Sequence, residues 1–233
     1  MKETNITYYK LPLFLIPFKE IPSLEEFHLR YAYCKAISLK NFMGDDYYLI
    51  SVFDYWKDVE LNNLSDFKNL DLLFGEVLST KFNTRGELKC SVILKFDSII
   101  EKNELPHLRY CSDELERTNA NWFYLKDGNY LLFSAIKSQR ENVKHLEDMV
   151  LYVDPIIRLR IVIELLKRNI KKGSLKLSKQ QFESIAYIVL KSNPSLAKKS
   201  DDLINDCVKS WVQPMISMPL YEDIPQKIRG SFF

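Results

Sequence analysis

No stretch leaves this chain fewer options than Asp154 to Gly173, DPIIRLRIVIELLKRNIKKG. Asp154 suits the cap of a first helical turn, and Pro155 at the first helical position gives up only an N–H that would have had no partner. Gly173 can take the left-handed conformation that ends a helix, and Lys167, Arg168, Lys171 and Lys172 fall where the helix dipole favours cations. At about 100° per residue, Ile156, Leu159, Val162, Ile163, Leu166 and Ile170 share one face. Ile157, Ile161 and Leu165 widen that face on both sides. A helix this apolar has to be covered by other elements, so it predicts packing and says little about chemistry.

Composition narrows the setting. With 233 residues, 46% hydrophobic and 27% charged, the chain can bury a core as one large domain or two small ones, and wholesale disorder is excluded. No apolar run approaches the roughly 20 residues that span a bilayer. Leu11 to Phe18 is short and holds Pro12 and Pro17, and it lacks the features of a signal peptide. The expectation is a soluble, cytoplasmic protein with no membrane partner. Cys34, Cys90, Cys111 and Cys207 form no C-x-x-C pair and read as reduced, buried residues. The six glycines stand singly, which excludes the clustered glycines of Rossmann and P-loop phosphate cradles. His28, His107 and His145 are scattered, and no motif recommends a histidine metal site or a histidine-based triad, so no metal, cofactor or catalytic residue is assigned.

Taken in order, residues 5–19 read as an edge strand or extended arm, because Pro12 and Pro17 cannot donate to a ladder. Ser23 and Glu26 form a capping box that predicts a helix through Phe27, Tyr31 and Cys34 to Gly44. Tyr47 to Trp56 reads as a buried strand, and Phe67, Leu70, Phe74, Val77 and Leu78 predict a helix over 66–81. Leu88, Cys90, Val92, Leu94 and Phe96 alternate as one side of a half-buried strand. Residues 99–119 are charged and irregular. Asp127-Gly128 between NWFYLK and NYLLFSAI predicts a two-residue hairpin at about 121–136, with Leu125 opposite Tyr130 and Phe123 opposite Leu132. Ser138 with Glu141 opens a helix through Val143, Leu146 and Val150. Ser178 with Gln181 opens another that ends before Pro194, with Leu177 and Phe182 as its hydrophobic staple. Ser200 or Asp201 starts a last helix to about Val212, and an extended tail follows from Pro214.

The predicted class is therefore α+β: an N-terminal mixed helix and strand region with the hairpin, then a C-terminal helical bundle. The expected division is 1–137 as an α+β domain, 138–213 as a helical domain packed on it, and 214–233 as a tail.

Charge is divided unevenly. Asp45 to Glu76 holds eight acids against Lys57 and Lys68, and Arg158 to Lys179 holds eight bases against Glu164 alone. Arg160, Lys167, Arg168, Lys171 and Lys172 are therefore the candidates for contact with nucleic-acid phosphates. The helices predicted at 155–172, 178–192 and 201–213 have helix-turn-helix lengths. The third, however, carries Asp201, Asp202 and Asp206 where recognition would occur, and acids there repel phosphate. Asp71 with Glu87-Leu88-Lys89 resembles the D…E-x-K pattern of restriction-endonuclease-like nucleases. That resemblance would imply carboxylates holding Mg²⁺ and a lysine near the attacking water.

The last feature is apolar. Ile228, Phe232 and Phe233 would waste apolar surface in water, so the tail is expected to fold back or dock into a partner, with Trp211, Met215 and Met218 as further docking candidates. The functional expectation is a non-enzymatic adaptor or accessory subunit that binds a protein partner, of a kind found among bacterial mobile-element and defence genes. Nucleic-acid binding through 158–179 is the alternative, and nuclease activity through Asp71, Glu87 and Lys89 comes behind it.

Overall fold

The computed structural model describes residues 3–13, 31–42, 45–57, 59–79, 90–99, 109–111, 122–126, 129–133 and 153–223. Five strands form an antiparallel sheet: β1 (Glu3–Pro12), β2 (Tyr31–Phe42), β3 (Asp45–Val52), β4 (Val77–Ser79) and β5 (Ser91–Ile99), in the order β4-β3-β2-β1-β5. A short helix, α1 (Leu64–Phe67), lies between β3 and β4. A second, three-stranded sheet is made by β6 (Arg109–Cys111), β7 (Trp122–Lys126) and β8 (Asn129–Phe133). The C-terminal half holds α2 (Asp154–Lys171), α3 (Lys179–Ser192) and α4 (Asp201–Ser217), followed by a 3₁₀ turn at Tyr221–Asp223. This is the α+β arrangement with a helical C-terminal region that the sequence predicts. No described helix is long and apolar enough to cross a membrane.

One core joins the sheet to the helices. Leu11, Ala32, Cys34, Ala36, Ile50 and Val52 line one face of the sheet and meet Ile157, Leu159, Ile161 and Ile163 of α2, with Ile185, Leu190, Ile204 and Val208 packed behind. The opposite face carries a smaller aromatic cluster of Tyr8, Tyr33, Phe53 and Phe67, with Leu94 and Phe96 against it. Tyr8 and Phe67 have ring centroids 4.5 Å apart, tilted by 46°.

Local signals with a chemical partner are realised. Ser178 accepts the Gln181 N–H at 3.3 Å while the Gln181 side chain accepts the Ser178 N–H at 2.8 Å, completing the capping box of α3. Ser200 accepts the Leu203 N–H and caps α4. Gly173 has φ +76°, the left-handed conformation expected after α2. The hairpin pairs Leu125 with Tyr130 and Phe123 with Leu132, in the expected register. Its turn at Asp127-Gly128, the helix expected over 138–150 and the boundary at 137/138 lie outside the described residues.

Elsewhere the structure corrects the expectation. β1 is interior, paired with both β2 and β5, because Pro12 stands at its end, where a missing N–H breaks no continuing ladder. Residues 31–42, expected within a helix, are β2. Ala32, Cys34 and Ala36 pack toward the helices while Tyr33 packs on the other face, so both sides are buried and the alternation is hidden from a hydrophobicity pattern. Among the described residues of the helix expected over 66–81, only the end of α1 is helical. Phe67 enters the aromatic cluster while Leu73, Phe74 and Val77 enter the main core, and a single helical face cannot serve both. The chain instead extends: the Leu73 N–H donates to Val52 O at 2.8 Å, and Val77 pairs with Ile50.

In β5, a register shift opposite Tyr8/Tyr9 breaks the predicted alternation. Cys90 packs on the main core, Val92 is exposed, and Leu94 and Phe96 pack on the aromatic side. At the other end of the chain, α4 runs through Pro214 to Ser217, where an extended tail was expected. The proline removes one donor from a last turn that the Met218 N–H closes onto Pro214 O at 3.1 Å. Finally, Val153 occupies the cap of α2 with no side-chain bond, and Asp154 stands one residue inside.

Candidate functional site

The most unusual chemistry lies on α2, whose polar side is buried as well as its apolar one. Arg158, Arg160, Glu164 and Arg168 are all buried, with Glu164 at 0% exposure. Eighteen residues of helix place these groups on successive turns, and burial obliges each to find a partner.

They find them along one seam. The Arg160 guanidinium lies over the Phe74 ring, 5.2 Å from its centroid, and approaches the Met218 sulfur at 2.9 Å and Glu164 at 3.8 Å. Lys167 Nζ meets Glu164 at 3.3 Å and donates to the carbonyls of Met215 and Met218 at 3.2 and 2.8 Å. The other Glu164 oxygen accepts the backbone N–H of Tyr221 at 3.2 Å. One turn on, Arg168 joins three segments: Asp54 at 2.5 Å, the Leu73 carbonyl at 3.3 Å and Glu222 at 3.5 Å. Trp56 Nε1 holds the second Asp54 oxygen at 2.7 Å. Lys171 pairs with Glu222 and Asp223, and the Asp223 carboxylate holds its ammonium above the usual lysine range. The seam therefore ties the residues after α4, together with the end of β3, to the central helix.

At the opposite end of α2, Arg158 lies among Cys34, Cys90 and Asp154. Burial pushes the Cys90 thiol up to about 12 and the Cys34 thiol well above its ordinary value, although the guanidinium pulls each the other way. Both thiols are neutral at physiological pH and are poor nucleophiles.

The residues singled out from sequence separate accordingly. Arg160 and Arg168 are buried, and Lys167 has an 11% exposed side chain, so phosphate could not reach them without displacing the seam. Lys171 and Lys172 are exposed. Met215 is buried in the main core, Trp211 and Met218 are half-buried, and Phe232 and Phe233 lie outside the described residues. Asp71 sits in the loop beside the Phe53–Leu72 bridge, its carbonyl accepting the Asp54 N–H at 2.8 Å, while Glu87 and Lys89 lie outside the described residues. Among the described residues, no three His, Cys, Asp or Glu side chains gather as a metal site.

Sequence reasoning missed the partners of the basic residues: Glu164, Asp54, Glu222 and Asp223. A signal existed for one of them. Glu164 is the lone acid among eight bases of its stretch, and an acid so isolated on a helix is a candidate counter-ion. Glu222-Asp223 lies some fifty residues from Lys171 and could be matched to it only by the fold.

No family model, curated protein or solved structure matches the chain.

Proposed function

We propose that the chain is a non-enzymatic accessory subunit that docks on a partner protein through its C-terminal helices and the apolar segment beyond Asp223. The observation that carries this reading is the seam on α2. Of the basic groups that the sequence offers to a substrate or a polyanion, Arg160, Lys167, Arg168 and Lys171 are engaged within the molecule, where with Glu164 they hold residues 215–223 in place. The segment bearing Ile228, Phe232 and Phe233 thus departs from a fixed anchor, and an anchored start lowers the ordering entropy of docking.

The anchor also fixes where the test must cut. Removing 214–233 would take Met215 and Leu220 out of the core, so the informative deletion is 224–233. That deletion is expected to abolish copurification with the partner from native cells while leaving the circular dichroism of the body unchanged. Retained association refutes the reading.

Nucleic-acid contact is the second reading, and exposure favours it at Lys171, Lys172, Lys176 and Lys179. It requires affinity for a DNA duplex that falls steeply with salt and weakens in K172Q/K176Q.

A further inference from the structure

The stretch Met218–Asp223 lies on α2 as a bound peptide would. Its backbone is read in both senses: Lys167 takes the Met218 carbonyl and Glu164 takes the Tyr221 N–H. Its acids meet cations, Glu222 on Arg168 and Lys171, and Asp223 on Lys171. Its apolar anchor is Leu220, 7% exposed. Nucleic acid fits this arrangement poorly, because a phosphodiester has no N–H for Glu164 and would set negative charge against a buried carboxylate. The hold is also shallow at its far end. Glu222 and Asp223 are 37% and 46% exposed, and surface ion pairs of this kind exchange readily with solvent and with competitors.

We propose that α2, through Glu164, Lys167, Arg168 and Lys171, is a recognition site for an acidic peptide, occupied in cis by Met218–Asp223 and taken in trans by a partner segment in which a leucine is followed closely by two acids. This deepens the accessory-subunit reading and rests on it. The tethered segment competes at high effective concentration, so an incoming peptide binds only when it matches better or when the strap is weakened.

The test uses the full chain, its E222Q/D223N variant and a fluorescent synthetic peptide copying residues 217–226, SMPLYEDIPQ. Hydrogen exchange first establishes release: the Met218, Tyr221 and Asp223 amides exchange faster in the variant while Ile204 to Val212 keep their protection. If the two substitutions do not release the strap, L220S/E222Q/D223N does. The peptide then binds the released variant about tenfold tighter than the parent. That gain is lost when K171Q is added to the protein, or when the peptide carries Gln and Asn in place of its acids. D202N/D206N, with the same change in net charge on the exposed side of α4, shows no gain. Equal peptide affinity for parent and released variant overturns the proposal, as does failure of both variants to release 218–223. A gain for a short DNA duplex in place of the peptide also overturns it and favours the nucleic-acid reading. If the peptide fails while deletion of 224–233 still abolishes partner binding, this site is wrong and the accessory-subunit reading stands.

Discussion

Glu164 has the greatest leverage of any single residue. Its carboxylate is fully buried, faces Arg160 and Lys167, and holds the Tyr221 N–H. Glu164→Gln keeps the shape but removes the buried carboxylate that pairs with Arg160 and Lys167, and breaking a buried charge cluster in this way is expected to cost about 3 kcal/mol. Urea unfolding measures it, and the comparison is Lys179→Ala, whose pair with Glu183 is exposed and should change stability by less than about 0.5 kcal/mol. Equal effects would show that burial does not decide the strength of these pairs. Cys90 gives the pH dependence. Its native pKa of about 12 lies above that of an unfolded thiol near 8.5, so the unfolded state loses its proton first. The contribution of this thiol to stability is therefore complete below about pH 8.5 and is lost as pH rises toward 12. Cys90→Ala should flatten that decline. The basic residues on α2 were plain in the sequence, but whether Arg168 and Lys171 faced water or the body was not, because their acids lie on segments 114 and about 50 residues away.

Elements were legible where a residue pair carries its own chemistry. The capping box at Ser178 and Gln181 and the glycine closing α2 each satisfy backbone groups locally, so both could be read without the fold. Ser178→Ala should cost about 1 kcal/mol by orphaning the Gln181 N–H. Gly173→Ala meets no atom within 4 Å, so its expected cost of about 1 kcal/mol is backbone strain alone. Thermal unfolding of each variant and of the double variant checks both, and because the sites do not share a partner the two costs should add. The failures are of the opposite kind. Tyr31 and Cys34 fall at a helical interval by chance inside β2, and Phe67 with Phe74 does so across a segment that serves two cores. In both places a contact distant in sequence chose the backbone, and periodicity records only how often apolar residues recur, not which surface receives them.

At the scale of the molecule, the helical region and the sheet share one apolar interior, and this bears on whether the C-terminal half can act alone. α2 contributes to that interior from its first turn to its last: Ile157 and Ile161 are both 0% exposed, and Ala32, Cys34, Ile50 and Val52 of the sheet belong to the same cluster. Shortening Ile157 to alanine removes buried methylenes and leaves a cavity, at an expected cost of about 3 kcal/mol. If the helices formed an independently stable unit, tryptophan fluorescence and far-UV circular dichroism would report separate transitions, because Trp56 follows β3 and Trp211 lies on α4. With a shared interior, Ile157→Ala should lower both midpoints together and keep the two curves coincident. A variant whose fluorescence and ellipticity come apart would mean that the helices hold without the sheet. The anchor for residues 215–223 could then persist after the sheet had melted, and docking would require only the C-terminal half.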